Sequence, residues 1–154
     1  MRVLIQRCLN SSVSVDNDII GKIDSGVVLF VCFTEGDSSS EIDYMIDKII
    51  NLRIFDDENG IMNKSLIDVD GSILSISQFT LYADTRKGRR PSYINALNGN
   101  EASLLYDEFN NKIKNLNIHV ETGKFGADMK VSLVNDGPVT IMLEKENNYE
   151  KKCS

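Results

Sequence analysis

The residues Gly26-Val27-Val28-Leu29-Phe30-Val31-Cys32-Phe33 run on without a polar break. A strand with one wet face alternates, so a continuous run of this kind is a strand buried in a sheet. It also falls far short of the roughly 18 apolar residues that a membrane helix needs. The rest of the chain has to fold around it. Upstream, Arg2 to Cys8 alternates with period two, and Ser12 to Val15 and Ile19 to Ile23 flank Asp16-Asn17-Asp18 as a hairpin. Downstream the period changes. Ile42, Met45, Ile46, Ile49 and Ile50 recur at helical spacing, and Ser38 with Glu41 supplies a capping box, which predicts an amphipathic helix over Glu41 to Arg53. A second helix is predicted where Ala102, Leu105, Tyr106, Phe109 and Ile113 share one face, with Asn98 or Asn100 as its cap. Ser72 to Tyr82 reads as a strand, as do segments near Ile118 to Glu121, Lys130 to Val134 and Val139 to Leu143. The fold class that follows is α/β (α+β), a mixed β-sheet with two helices on one face.

At 154 residues the chain fits a single domain, 1–154, with residues from about 146 to 154 a polar C-terminal tail. No repeat or linker divides it, and Met1-Arg2-Val3-Leu4-Ile5-Gln6-Arg7 lacks the apolar stretch of a signal peptide. A cytoplasmic location without membrane contact is therefore expected. Cys8, Cys32 and Cys153 form no C-x-x-C pair, and an odd, scattered set points to reduced thiols. Cys32 sits inside the apolar run, where it is either a small core residue or a nucleophile. His119 is the single histidine, placed on a strand by Ile118 and Val120, and any Ser-His-Asp triad has to rest on it. No metal-ligand cluster or cofactor motif is visible, so neither metal nor cofactor is expected.

Net charge is −6, from 17 basic and 23 acidic residues, the opposite of what whole-chain counting expects for a nucleic-acid binder. The distribution matters more than the sum. Arg86, Lys87, Arg89 and Arg90 crowd around Gly88, a local cluster suited to phosphates or, on the plainer view, a solvated loop.

Two further segments carry chemistry. In Leu74-Ser75-Ile76-Ser77-Gln78-Phe79-Thr80-Leu81, period two puts Leu74, Ile76, Gln78 and Thr80 on one face, so a face that starts apolar ends in an amide and a hydroxyl. That polar end either lines a cavity or interface, where it needs partners, or meets water. Asn135-Asp136-Gly137-Pro138-Val139-Thr140 lies between two strand-like runs. Asp-Gly is a hairpin-turn signal, while Pro138 removes an amide donor and restricts Gly137. The segment is either a plain turn or a rigid one that fixes the direction of its carbonyls, and Gly-Pro is a place where a cis bond is affordable.

Ser77-Gln78-Phe79-Thr80-Leu81 and Asn135-Asp136-Gly137-Pro138-Val139-Thr140 resemble the two signature motifs of the D-aminoacyl-tRNA deacylases. The likeness extends in order through the opening Met1 to Arg7, the loop Lys87-Gly88-Arg89-Arg90-Pro91-Ser92-Tyr93, and Thr122-Gly123-Lys124-Phe125-Gly126-Ala127-Asp128-Met129. Cys8 and Leu9 depart from the family's usual residues, and neither motif is touched. The resemblance implies a hydrolase that cleaves the ester between a D-amino acid and the 3′-terminal adenosine of tRNA, a chiral proofreading step in translation. It implies a homodimer in which the sheets of two subunits form a barrel-like assembly. Each active site would then lie at the interface, with Ser77, Gln78, Phe79 and Thr80 facing Gly137 and Pro138 of the partner subunit. On the same ground the backbone amides of Phe79 and Thr80 would stabilise the oxyanion, and Ser77 and Gln78 would shape the pocket. Met129 and Ala102 would line the adenosine site, and Arg7 would hold the Gly-Pro turn. Main-chain atoms at Gly137 and Pro138 would exclude L side chains, so glycyl-tRNA, with no side chain to exclude, is expected to be deacylated as well. Arg86, Lys87, Arg89 and Arg90 are then candidates for tRNA phosphate contact.

Three other functions stay open. A related animal-type deacylase acts on L-alanyl-tRNA, but it carries Pro and Ala where this chain has Ser77 and Phe79. A tRNA-binding module without catalysis is opposed by the acidic net charge. A small esterase acting on free esters would have to use Thr80 or Cys32.

Overall fold

Asp16 and Asn17 both hold positive φ, 50° and 68°, which short polar side chains tolerate and which a two-residue hairpin turn demands. They join β1 (Arg2–Val15) to β2 (Asp18–Cys32), strands of 14 and 15 residues. The shorter strands read from the sequence are therefore pieces of two long ones. The computed structural model describes residues 1–146, and the expected polar tail beyond Glu146, with Cys153, lies outside them. After β2 come α1 (Ser39–Asn51), a hairpin of β3 (Phe55–Asp56) and β4 (Met62–Lys64), β5 (Ser72–Ser77), a 3-10 turn (Phe79–Tyr82), α2 (Gly99–Lys114), β6 (Val120–Thr122) and β7 (Lys130–Glu144). Strands as short as β3 and β4 show no period, which is why sequence patterning missed them.

The main sheet runs β6-β5-β2-β1-β7. It is mixed, because β1 pairs antiparallel with β2 and β7 while β5 pairs parallel with β2 and β6. The unbroken apolar run sits in its middle and is covered on both sides. Val27, Leu29 and Val31 face the helices with Val3, Ile5 and Ile73, while Val28 packs on the other face with Leu74 and Ile76. Both helices lie on the first face, through Ile42, Met45 and Ile49 of α1 and Tyr106, Phe109 and Ile113 of α2. The other face is covered by the far half of the β1–β2 hairpin, whose Val13 and Ile23 reach Leu74 and Ile76. That hairpin bends at Asn10, where φ is 44° and the β1–β7 register shifts, as a bulge requires.

The first helix starts at Ser39, two residues before the expected Glu41, because Ser38 is its cap. Ser38 Oγ accepts from Ser40 N at 3.3 Å, and Glu41 Oε2 accepts back from Ser38 N at 2.7 Å. Asn98 stands at the cap of α2 without a side-chain capping bond. Burial works against the charge on Glu41, but hydrogen bonds from the Ser38 amide and hydroxyl outweigh it and hold the carboxyl below its ordinary value. A carboxyl depressed in this way stabilises the fold above its unfolded titration range, and the contribution is lost as pH falls through the folded value. Ser38→Ala is accordingly expected to lower stability by about 1 kcal/mol near neutral pH. In urea titrations its deficit relative to the parent should shrink as pH drops through the carboxylate range, and a deficit constant with pH would exclude Glu41 from the cap.

Candidate active site

Strand β5 stops at Ser77 instead of running to Tyr82, which corrects the period-two assignment. β6 accompanies β5 only to Ser75 and β2 only to Ser77, so no ladder is left to extend. Gln78 N donates to Val31 O at 2.8 Å, and Leu81 N to Gln78 O and Ala83 N to Thr80 O then wind Phe79–Tyr82 into the 3-10 turn. Gln78 and Thr80 therefore do not continue the face of Leu74 and Ile76. Since the first bond of the turn belongs to Leu81, the amides of Phe79 and Thr80 lie ahead of it without an acceptor in the turn. The Gln78 side chain donates to Thr80 Oγ1.

The turn is pinned from two sides. Cys32 Sγ donates to Phe79 O at 3.4 Å, and Arg2 Nη1 donates to Leu81 O at 2.8 Å. The Arg2 guanidinium also lies 4.3 Å from the centre of the Tyr82 ring, and its Nε reaches Glu144 Oε2 at 2.8 Å. Neither Arg2 nor Tyr82 stands out in the sequence, since one opens an alternating strand and the other ends an apolar stretch that reads as strand. Burial pushes the Cys32 thiol up to about 11, so it serves as a neutral donor and not as a thiolate nucleophile. His119 precedes β6 and does not lie within it; exposed, it faces Glu121 at 3.7 Å in a separate depression with Lys22 and Ser72. It supplies no base to Ser77 or Thr80.

Beside the turn, at the C-terminal ends of the parallel strands β2 and β5, lies a cavity of about 330 Å³. Ser77, Gln78 and Phe79 form one wall, Ala102 at the start of α2 another, and Met129 a third. Five residues singled out from separate parts of the sequence thus share one space. Thr80 is not among the lining residues and is exposed on the turn. Cys32, weighed above as core residue or nucleophile, lines the cavity too, as do Phe125 and Val131, which the sequence does not mark for that role because apolar side chains in strands and loops read as core.

Gly137 and Pro138 are placed differently from the expected hairpin turn. β7 is one strand, not two, and between the pairs Gln6↔Thr140 and Cys8↔Asn135 two steps on β1 match five on β7. The surplus loops outward as a bulge at the sheet edge. Asn135 Nδ2 to Thr140 Oγ1, 2.7 Å, and Val139 N to Asn135 Oδ1, 3.0 Å, close its base. The Gly137–Pro138 peptide is cis and both residues are exposed. Arg7, only 8% exposed, donates from Nε to Asp136 O at 2.9 Å and from Nη1 to Ile54 O at 2.8 Å, with the carboxylates of Asp56 and Asp136 each 3.5 Å away. Gly137 has φ +133°, and a Cβ there would come within 2.8 Å of Val139 Cγ2 and 3.0 Å of Arg7 Nη2, so the position requires glycine. The bulge does not line the cavity of its own chain. Of the cationic loop, Arg86 is held by Asp84 through two side-chain hydrogen bonds and one from its amide, which draw the Asp84 carboxyl down to about 2. Lys87, Arg89 and Arg90 are exposed.

A cavity beside a turn whose leading amides have no acceptor in the turn, with an inert thiol and, among the described residues, no histidine base near its hydroxyls, suits proteins that handle a carbonyl through backbone donors. A family model described as D-Tyr-tRNA(Tyr) deacylase matches residues 4–144. D-aminoacyl-tRNA deacylases of Bacillus cytotoxicus and Thermosipho africanus are 56% and 53% identical, across 95% and 97% of this chain and the whole of each relative. A solved structure titled c-Myc DNA Unwinding Element Binding Protein superposes with a TM-score of 0.89 at 36% identity, covering 96% of this chain and all of that one. Another, titled as a probable eukaryotic D-amino acid tRNA deacylase, shares the fold with a TM-score of 0.80 at 18% identity, over 92% of this chain and 97% of that one. The chain belongs to the D-Tyr-tRNA(Tyr) deacylase family and is a hydrolase of carboxylic esters.

Arg2 joins the 3-10 turn to β7, so Arg2→Ala should loosen the turn without unfolding the sheet. Hydrogen exchange is expected to accelerate at Leu81, Tyr82 and Ala83 while α1 keeps its protection. Uniform acceleration throughout the protein would mean that Arg2 serves global stability alone.

Proposed function

We propose that the chain hydrolyses the ester between a D-amino acid and the 3′-terminal adenosine of tRNA, acting in the cytoplasm, where charged tRNA is used. The observation that carries this is the cavity walled by Ser77, Gln78 and Phe79, with the amides of Phe79 and Thr80 unengaged at the head of the turn. Water attacks the ester carbonyl, the two amides bind the oxygen that becomes negative, and collapse expels the 3′-oxygen, which takes up a proton as free tRNA leaves. The adenosine's own 2′-hydroxyl is placed to activate the water, since Thr80 Oγ1 has no base beside it and Cys32 is held neutral. Ala102 and Met129 line the space for adenosine.

The protein acts as a homodimer in this account. Support comes from the open edge of β7, where Val134 and Met142 are exposed, and from the Gly137–Pro138 bulge, which projects from that edge and takes no part in its own cavity. Delivered to the partner's cavity, the rigid bulge fills the direction an L side chain would take and leaves room for any D side chain. Arg86, Lys87, Arg89 and Arg90 approach the phosphates. Among the described residues no helix is long and apolar enough to cross a membrane.

Purified protein is expected to hydrolyse D-Tyr-tRNA quickly, Gly-tRNA slowly and L-Tyr-tRNA negligibly, with the mass of a dimer in solution. Thr80→Ala should retain much of the activity, because a backbone donor survives side-chain truncation, whereas losing one oxyanion donor costs about 100 to 1,000-fold. Equal rates on D- and L-Tyr-tRNA, or an acyl-enzyme trapped on Thr80, would contradict the proposal.

A further inference from the structure

Phe79, in the wall of the cavity, also belongs to a feature that hydrolysis at the cavity's centre does not use. Phe79 is 50% exposed, and its ring meets the ring of Tyr93 edge to face, centroids 5.0 Å apart and planes at 70°. Tyr93 is itself 37% exposed, and Ile94 beside it 88%. Immediately before Tyr93 the chain is a loop closed by paired hydrogen bonds, Asp84 N to Ser92 O at 2.8 Å and Ser92 N to Asp84 O at 2.9 Å. Lys87, Arg89 and Arg90 stand exposed on that loop, while Arg86 is tied back to Asp84. The contacts therefore set out an order in space: cavity, Phe79, Tyr93, cationic loop.

We propose that Tyr93, with the exposed face of Phe79 and the cations of the loop beyond, forms a track for the unpaired nucleotides that precede the terminal adenosine of the RNA substrate. This rests on the reading that the cavity takes that adenosine. Unpaired RNA offers base faces that stack on aromatic rings and phosphates that pair with lysine and arginine, and the two kinds of group alternate along one strand. An exposed aromatic pair, one member of which walls the cavity while the other adjoins a cluster of positive charge on a chain whose net charge is −6, matches that chemistry. The track runs outward from the site, as a strand whose last nucleotide is fixed in the cavity must run. Recognition by stacking is indifferent to base identity, so the track serves the shared single-stranded end of any tRNA and not a particular one.

The test uses the intact protein and two uncharged RNA hairpins, one ending in a single-stranded CCA and one blunt. The parent is expected to bind the CCA hairpin more tightly than the blunt one. Tyr93→Ala should weaken CCA binding by about ten- to a hundredfold while Tyr93→Trp keeps it, and Arg89→Ala should lower the salt dependence of binding by about 0.7 in log–log slope. With D-Tyr-tRNA as substrate, the Tyr93→Ala effect should fall on KM rather than kcat. Equal binding of the two hairpins by the parent, unaltered CCA binding by Tyr93→Ala, or dissociation of the dimer in that variant would overturn the track, the last by assigning Tyr93 to contact with a second copy. A parent that hydrolyses D-Tyr-tRNA while Tyr93→Ala is indistinguishable from it sinks this inference alone. A parent without deacylase activity sinks the proposed function with it.

Discussion

A single buried guanidinium ties together parts of the chain that otherwise have no reason to keep a fixed relation. Arg7 of β1 is buried, and a guanidinium left unpaired there would be strongly destabilising. Its planar fork reaches two carbonyls on different elements, Ile54 O after α1 and Asp136 O in the β7 bulge, while two carboxylates stand nearby. Lysine carries the same charge but not the fork, so this geometry is specific to arginine. The bulge at Gly137 and Pro138 is consequently braced from behind by a group that packs too closely for any side chain at position 137.

The same economy of side-chain chemistry holds at the cavity. Ser77, Gln78, Asn98 and Asp128 line it beside Phe79, and other side chains hold the adjoining turn still. Cys32 and Arg2 each fix a carbonyl of the 3-10 turn, and Gln78 engages the hydroxyl of Thr80. Tyr106, from α2, donates to Ser75 O at 2.7 Å and steadies the strand from which the turn departs. A site of this kind depends on placement more than on reactive groups, which is consistent with a cavity set among strand ends and a helix start.

Much of this is legible in the sequence. The helical spacing from Ile42 to Ile50 and the Ser38–Glu41 box locate α1 to within two residues, and Asp16-Asn17-Asp18 locates the hairpin, because both signals are local. Family resemblance singles out Ser77, Gln78, Phe79, Ala102 and Met129, and the fold gathers all five around one cavity. What escapes depends on partners distant in the chain. Period two persists from Leu74 to Leu81 in the sequence, yet the strand ends where β2 and β6 run out, and that length is not written near Gln78. Asp136-Gly137 carries a hairpin signal, but β1 holds both flanks of β7 in one ladder, so the surplus residues bulge instead of turning the chain back. Arg2 gives no sign in sequence of its reach to Leu81 and Glu144.

In the proposed function, backbone braced by Arg7 and presented at Gly137 and Pro138 decides which hand of amino acid is removed from tRNA. Arg7→Lys probes it most directly, since the charge is kept while the fork to Ile54 O and Asp136 O is lost. The measurement is the ratio of deacylation rates on D-Tyr-tRNA and L-Tyr-tRNA for the folded, dimeric variant beside the parent. The account predicts that the ratio falls, chiefly because hydrolysis of the L ester rises; a folded Arg7→Lys dimer that discriminates as well as the parent would contradict it.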